Sequence, residues 1–268
     1  TAFAASLAAF YQQIPVGHVE AGLRTYNMNS PYPEEFNRQA IGLTASLHFA
    51  PTRKAADALL KEGKDQDRVY ITGNTGIDAL HYTVREDFYH PETEWAKDSR
   101  LIVVTAHRRE NLGEPMRDMF RAIRRIVEEF SDVKVIYPVH LNPQVRKIAE
   151  EEFDGCNRIH LIKPLDVVEF HNLMKASYLI MTDSGGIQEE APALGKPVLV
   201  MRDTTERPEG VEAGTLKLTG TGMENIYREC RRLLSDPEIY REMSEAKNPY
   251  GDGTASIKIR KILEDMDV

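Results

Sequence analysis

A regular alternation of short, mostly apolar runs with longer amphipathic segments most constrains the fold of this chain. The apolar runs have the length of β-strands and lie at residues 101–104, 133–137, 158–162, 178–182 and 198–201. Between two of them, Met119, Ile123 and Ile126 recur at helical spacing. Apolar strands that alternate with amphipathic helices indicate an α/β fold, with a parallel sheet covered by helices on both faces.

The same pattern divides the chain into domains. Residues 1–83 carry shorter predicted strands and helices, and we assign them to a first domain. Residues 84–99 lack periodicity and hold many charges, so we interpret them as a linker. The regular alternation fills a second domain at residues 100–235, and further helices are predicted within residues 236–268.

Composition excludes several classes of protein. The formal net charge of the 268 residues is -8, and this is not the basic excess that is typical of a nucleic-acid binder. The longest apolar run is far short of the ~18 residues that a membrane span requires. Cys156 and Cys230 are the only cysteines, which excludes a disulfide framework and fits a reducing, cytoplasmic compartment. No metal-ligand spacing occurs, so we expect no metal, no nucleic-acid partner and no membrane partner.

Polar and cationic residues follow five of the predicted strands at the same end. These segments lie at residues 105–111, 138–140, 163–164, 183–186 and 202–207. A single one of them is more simply a solvated loop. Because ligands of an open parallel sheet bind beyond the carboxyl ends of its strands, five together predict a binding crevice at this rim.

The most specific of these segments is Asp183-Ser184-Gly185-Gly186, which precedes a predicted helix. Two glycines let backbone N–H groups approach an anion, and a helix N-terminus and the Ser184 hydroxyl add to such a phosphate cradle. A tight turn with Ser184 as the helix cap explains the same residues equally well. No Gly-x-Gly-x-x-Gly fingerprint follows any strand, which argues against a dinucleotide cofactor.

Several charged residues of the second domain are candidate nucleotide ligands. Arg207 and the triplet His107-Arg108-Arg109 could bind a diphosphate, because the guanidinium fork matches phosphate oxygens. Glu190 lies one helical turn beyond the two glycines and could reach a pair of ribose hydroxyls. The simpler interpretations are a solvated arginine and an ordinary surface glutamate.

Two carboxylates of the first domain are candidate acid–base groups. Glu20 ends a predicted strand, and Glu34 lies in the first turn of a predicted helix. A favourable interaction with the helix dipole would by itself account for Glu34. That placement also keeps the carboxylate ionised, so it is compatible with a general base.

In order along the chain, these motifs resemble the non-hydrolysing, bacterial-type UDP-N-acetylglucosamine 2-epimerases. The strings that carry the resemblance include Gly17-His18-Val19-Glu20-Ala21-Gly22-Leu23-Arg24 and Thr182-Asp183-Ser184-Gly185-Gly186. Further matching stretches lie at residues 30–35, 71–75, 105–111, 137–143, 187–192, 202–209 and 248–253. The match is specific because it extends over the whole chain.

The resemblance implies two Rossmann-like domains of the glycosyltransferase-B type, with residues 236–268 packing back toward the first domain. It implies a cytoplasmic homodimer without a cofactor that interconverts UDP-N-acetylglucosamine and UDP-N-acetylmannosamine for cell-surface polysaccharide biosynthesis. It also implies a further catalytic Asp and a glycine-rich segment upstream of Thr1. On this interpretation the first domain lacks about a hundred residues, and we expect the 268-residue chain to be inactive by itself.

The resemblance also implies roles for individual residues. The catalytic residues would be Glu20, Glu34 and His107. The diphosphate would bind Ser184, Gly185, Gly186 and Arg207, the ribose Glu190, and the uracil Phe170 with the backbone of Lys163, Pro164 and Leu165. An allosteric substrate site would use Glu34, Arg108 and His140.

The substrate itself favours one mechanism. The C2 proton of the sugar is not adjacent to a carbonyl group, so simple enolisation cannot invert this carbon. Elimination of UDP across C1–C2 to a glycal, followed by re-addition to the opposite face, needs acid–base groups and a stabilised leaving diphosphate. A retaining glycosyltransferase and a non-catalytic UDP-sugar-binding regulator remain alternatives from other functional classes.

Overall fold

The computed structural model describes residues 1–266, which form two compact units. One unit runs from Thr1 to His81 and includes the chain from Pro249 onward, and the other is Tyr82–Asn248. Each unit has a sheet of parallel strands, which confirms the predicted α/β class. In the part of the chain that the structure describes, no helix is both long enough and apolar enough to span a membrane.

The regular elements follow one another as the alternation predicts. In chain order, the strands are β1 (Gly17–Val19), β2 (Leu47–Ala50), β3 (Val69–Ile71), β4 (Arg100–Thr105), β5 (Val133–Pro138), β6 (Ile159–Ile162), β7 (Leu179–Thr182), β8 (Val198–Val200) and β9 (Leu216–Leu218). The helices are α1 (Ala2–Tyr11), α2 (Glu34–Thr44), α3 (Arg53–Lys61), α4 (Thr75–Thr83), α5 (Pro91–Ala96), α6 (Glu114–Glu129), α7 (Pro143–Phe153), α8 (Val167–Ala176), α9 (Ile187–Ala193), α10 (Pro208–Glu212), α11 (Met223–Ser235), α12 (Pro237–Glu245) and α13 (Ala255–Glu264).

The first unit is built on a three-stranded sheet in the order β1-β2-β3. The central strand β2 is buried along its whole length, and α3 contributes Ala55 and Leu59 to the apolar cluster that also contains Ala50 of β2. The C-terminal helix α13 belongs to this unit. The carboxylate of Asp78 on α4 accepts the N–H groups of Ala255 and Ser256, at 3.0 and 2.6 Å.

The second unit is built on a six-stranded sheet in the order β6-β5-β4-β7-β8-β9. Alternate residues of the strands enter two different cores, with Ile102 and Val104 in one and Leu101 and Val103 in the other. The apolar strands therefore face protein on both sides, as their sequences predict. On one face, α6 covers the sheet with its predicted apolar stripe.

The order of the strands creates one topological switch point. From β4 the chain adds β5 and β6 on one side, and it then returns to add β7, β8 and β9 on the other side. Because β4 and β7 are neighbours in the sheet, the loops that leave their carboxyl ends diverge from each other at this point. Such a divergence opens a crevice where open parallel sheets bind their ligands.

The prediction that residues 84–99 are a linker between two domains is corrected by the structure. These residues lie within the second unit and contain helix α5. His90 caps this helix by accepting the N–H of Glu92 at 3.2 Å, and Trp95 stacks on His160 of β6 with the ring centroids 3.5 Å apart. With only six residues, α5 is too short to produce a periodic sequence signal.

The placement of residues 236–248 also differs from the expectation. Helix α12 belongs to the second unit and not to the first. The ring of Tyr240 stacks on Tyr178 with a centroid distance of 4.0 Å, and its hydroxyl donates to the Tyr178 carbonyl at 2.9 Å. This aromatic pair joins residues far apart in the sequence, so a pattern read along the chain cannot predict it.

Candidate functional site

The loops after β4 and β7 are joined by one buried carboxylate, that of Asp183. Its Oδ2 accepts the backbone N–H groups of His107 and Arg108, both at 2.9 Å, and the Nδ2 of Asn111 at 3.3 Å. Asp183 is fully buried, so these donors replace the water that its charge would otherwise require. Asp183 therefore fixes both sides of the switch point. The sequence prediction gave it no role, although its position directly after a buried strand was a signal.

The side chain of His107 lies beside this carboxylate. Its Nδ1 is 3.4 Å from Oδ1 of Asp183, and its ring stacks against His140 with the centroids 5.5 Å apart. Burial lowers the pKa of His107, and this outweighs the opposite effect of Asp183, while Arg108 and His140 lower it further. The imidazole is therefore predominantly neutral near pH 7 in the absence of an added anion.

A cavity of about 280 Å³ opens between the loops after β4, β5 and β6. Its walls include His107, His140, Leu141, Pro164, Leu165 and Phe170. Flat apolar groups with two imidazoles are suited to a heterocyclic ring that needs stacking and a few polar contacts. The structure thus brings together most of the predicted base-binding residues, whereas Lys163 is exposed.

The two glycines of the turn after β7 differ in how closely other atoms approach them. A Cβ atom on Gly185 would lie 2.7 Å from Nη1 of Arg207, so the packing of the protein itself excludes a side chain there. A Cβ atom on Gly186 would make only an ordinary 3.7 Å contact with Glu190. The alternative in which Ser184 caps the following helix is wrong, because α9 begins after Gly186 without a side-chain cap.

Arg207 is buried and does not lie as a solvated cation on the rim. Its guanidinium pairs with Glu189 and Glu206, and all three side chains are at most 3% exposed. Arg202 joins the same cluster through Glu206, at 3.1 Å. The cluster supports the turn at Gly185 from below and offsets much of the arginine charge. The two glutamates received no role from the sequence.

Glu190 faces the turn, as the ribose hypothesis requires. Its Oε2 lies 3.6 Å from Nε2 of His171, and the other nitrogen of that imidazole hydrogen-bonds Oγ1 of Thr83 at 2.7 Å. His171 is buried, so the Glu190 carboxylate approaches a fixed group on α8.

The first unit contains both predicted catalytic carboxylates. Glu20 follows β1, lines a cleft of about 560 Å³ with His18 and Arg38, and accepts a hydrogen bond from Nδ2 of Asn74 at 2.9 Å. Glu34 is the first residue of α2 and is half-buried, one helical turn before Arg38.

Two neighbouring histidines of the first unit were not predicted as notable. His18 of β1 pairs with His48 of β2 in the sheet register, and the Nδ1 atoms of both are buried without a hydrogen-bond partner among the described residues. Burial, and next the neighbouring imidazole, lower the pKa of His18 to about 4. Burial and Lys64 lower the pKa of His48 to about 4 as well.

The described residues contain no group of three or more His, Cys, Asp or Glu side chains arranged to hold a metal ion. The donors at the switch point are instead backbone N–H groups, a hydroxyl, imidazoles and a shielded guanidinium. Such a set fits an organic anion with an aromatic ring.

Comparison with known sequences shows to which protein family this chain belongs. A sequence model of the family UDP-N-acetylglucosamine 2-epimerase matches residues 1–264. The chain belongs to this family. It is 63% identical over 266 residues to the UDP-N-acetylglucosamine 2-epimerase of Bacillus subtilis, covering 99% of this chain and 69% of that protein. The family membership expected from the motifs is confirmed.

Solved structures of similar proteins extend the comparison to the fold. S. aureus MnaA, solved with UDP, has a TM-score of 0.96 at 55% identity, covering 98% of this chain and 72% of that one. The Neisseria meningitidis UDP-GlcNAc 2-epimerase, solved with UDP-GlcNAc, has a TM-score of 0.92 at 46% identity, covering 98% and 73%. The predicted glycosyltransferase-B type of epimerase fold is confirmed by these likenesses.

Proposed function

We propose that this member of the epimerase family interconverts UDP-N-acetylglucosamine and UDP-N-acetylmannosamine by inverting C2 of the sugar. The observation that carries the proposal is the switch point, where a base-sized cavity, an imidazole and a glycine turn surround one crevice. The solved relatives that hold UDP or UDP-GlcNAc support the same ligand class for this chain.

The nucleotide would lie along the second unit. Phe170, with the backbone of Lys163, Pro164 and Leu165, would hold the uracil, and Glu190 would accept hydrogen bonds from the ribose hydroxyls. Ser184, Gly185 and Gly186 would donate to the diphosphate, because the turn presents N–H groups next to a helix start. Arg207 would act mainly from beneath the turn, since Glu189 and Glu206 hold its guanidinium.

The reaction would proceed by elimination and re-addition. A general base takes the C2 proton, the C–H electron pair forms the C1=C2 double bond, and the C1–O bond breaks with its electron pair moving to UDP. UDP then adds back to C1 while a proton reaches the opposite face of C2. Glu20 and Glu34 are the carboxylates we assign to these proton transfers, with their individual order left to experiment.

His107 would assist the departure of UDP. Burial keeps its imidazole neutral in the free protein, while Asp183 already favours the protonated form. The charge of a bound diphosphate acts in the same direction as Asp183. The imidazolium so formed would donate a hydrogen bond to the leaving oxygen, which stabilises the developing charge.

We also propose that Arg108 and His140 of the second unit bind a second, allosteric substrate molecule. Its support is local, because His140 stacks on His107 and Nε of Arg108 donates to the backbone carbonyl of Asp183 at 3.3 Å. A ligand on either side chain would therefore contact a group next to His107 or Asp183. We likewise propose that the protein is a homodimer, that it is cytoplasmic, and that it acts in cell-surface polysaccharide synthesis.

Isotope exchange tests the activity. UDP-N-acetylglucosamine incubated in heavy water with the intact protein should gain deuterium at C2, form UDP-N-acetylmannosamine and release traces of glycal and UDP. A retaining glycosyltransferase would leave C2 unlabelled and would need an acceptor. Binding of UDP without exchange would instead identify a regulator, and either outcome would contradict the proposal.

A further inference from the structure

The backbone of Glu20 adopts an uncommon conformation. Its φ angle is 62°, in the left-handed region that residues other than glycine rarely occupy. Such a conformation persists only where surrounding groups determine it, and it is frequent at functional sites. Among the described residues, the Nδ2–H of Asn74 is the one hydrogen-bond donor to the Glu20 side chain, at 2.9 Å. The orientation of this carboxylate therefore depends on Asn74.

Asn74 is itself held at both ends of its side chain and at its backbone. Its Oδ1 accepts the N–H of Gly76 at 2.7 Å, and its own N–H donates to the carbonyl of Tyr250 at 2.8 Å. Because Oδ1 faces an N–H donor, the amide must direct its NH₂ group toward Glu20. The side chain is buried, which limits competition from water.

The identity of this residue is informative because Asn74 directly precedes α4 and acts as its N-cap. Asp, Asn and Ser cap a helix about equally well, and Thr only slightly less. Of these four, only asparagine also offers an amide donor. Capping alone therefore does not explain an asparagine at this position, whereas a donor aimed at the Glu20 carboxylate does.

The C-terminal segment 249–253 provides the rigid support. Gly73 and Gly251 approach so closely that a Cβ on either would lie 3.2 Å from the Cα of the other. Tyr250, the residue before Gly251, is fully buried. This packing holds the peptide between Gly73 and Asn74 against the C-terminal segment. That segment belongs to the matching stretch at residues 248–253, to which we have so far assigned no role.

We propose that Asn74 is a positioning residue that fixes one oxygen of Glu20 so that the other is presented to the sugar. The inference rests on the proposed role of Glu20 in proton transfer. On this account the C-terminal segment acts on catalysis through Asn74, without touching the substrate itself.

The substitution Asn74→Asp isolates this role, because aspartate retains the helix cap but replaces the donor with a like charge. In the intact protein, kcat for epimerisation should fall by about 10- to 100-fold, the factor for losing a hydrogen bond to a charged group. KM and the UDP affinity should stay within about twofold. The kcat is compared per folded molecule, because a second buried carboxylate beside Glu20 lowers the melting temperature. Asn74→Ser keeps the cap but cannot reach Glu20. It should likewise lower kcat and leave KM and the UDP affinity unchanged.

Asp78→Asn is the matched control. Asp78 lies on α4, the helix that Asn74 precedes, and it anchors α13 without contacting Glu20. It should lower the melting temperature while kcat per folded molecule stays within about twofold. The inference is overturned if Asn74→Asp keeps kcat, or if it loses activity only in proportion to unfolding. If Glu20→Gln itself retains exchange at C2, the proposed function of Glu20 fails, which is a different result.

Discussion

The turn after β7 and the end of β1 both carry side chains that we assign to the reaction, yet they are built differently. At the turn, Arg207 is held by two buried glutamates, and the Asp183 carboxylate accepts three donors on one oxygen. At β1, Glu20 has an uncommon backbone conformation, and its carboxylate accepts one side-chain hydrogen bond within residues 1–266, from Asn74. Glu34 is half-buried at a helix start.

This difference separates stability from chemistry. Removing one member of a buried ion cluster leaves a charge without compensation, so the fold suffers. Removing a half-exposed carboxylate leaves the fold nearly intact but deprives the reaction of a proton-transfer group. Substitutions in the two regions should therefore change different measured quantities.

The largest expected effect is on turnover. Glu34→Gln should lower the rate of C2 exchange by about 10²–10⁴-fold, the usual contribution of a general acid or base. A matched control is Glu238→Gln, which removes an exposed first-turn glutamate of α12. Both variants should melt close to the parent protein. Exchange near the parent rate in Glu34→Gln would reduce Glu34 to a helix-end carboxylate.

The next effect is on folding. Arg207→Ala should lower the free energy of unfolding by about 3–5 kcal/mol, because Glu189 would stay buried without its guanidinium partner, while Arg202 alone would pair with Glu206. Arg146→Ala, which breaks an exposed pair with Glu150 on α7, should cost at most about 1 kcal/mol. Denaturant titration measures both. An equally small loss in Arg207→Ala would show that the cluster does not support the turn.

The two glycines of the turn sharpen the comparison within one region. Gly185→Ala should cost about 1–3 kcal/mol of stability, since its methyl group would overlap Arg207. Gly186→Ala should raise stability by about 0.4–1 kcal/mol, because its φ of -60° and ψ of -39° suit alanine. Its UDP affinity should nevertheless fall at least about tenfold, as the methyl group would obstruct the diphosphate. Unchanged affinity would place the diphosphate elsewhere.

A separate expected effect is a pH dependence of the first unit. His18 and His48 have a pKa near 4 in the folded protein against 6.5 ordinarily, so below pH 6.5 the unfolded chain binds protons that the folded chain does not. Stability should thus fall as the pH drops from 6.5 to about 4. In His48→Gln the slope should be shallower. An identical slope in this variant would contradict the assignment to His48.

The sequence predicts the sheets and the rim of the site, because both follow from patterns along the chain. Apolar runs at residues 101–104 and 178–182 mark central strands, and polar residues at their carboxyl ends must meet. It does not predict the burial of Arg207 or the anchoring role of Asp183, because both depend on partners far away in the sequence. The same holds for the placement of α12 in the second unit, to which Tyr240 and Tyr178 contribute a contact between distant parts of the sequence.

Titration calorimetry with UDP on Ser184→Ala and Glu34→Gln, side by side, tests the central claim most directly. The account predicts that Ser184→Ala weakens UDP binding by about 10- to 100-fold, the factor for losing a hydrogen bond to a charged group. It predicts that Glu34→Gln binds UDP within about twofold of the parent protein. Parental affinity in Ser184→Ala together with weakened binding in Glu34→Gln would contradict the division between a nucleotide-binding turn and reacting carboxylates.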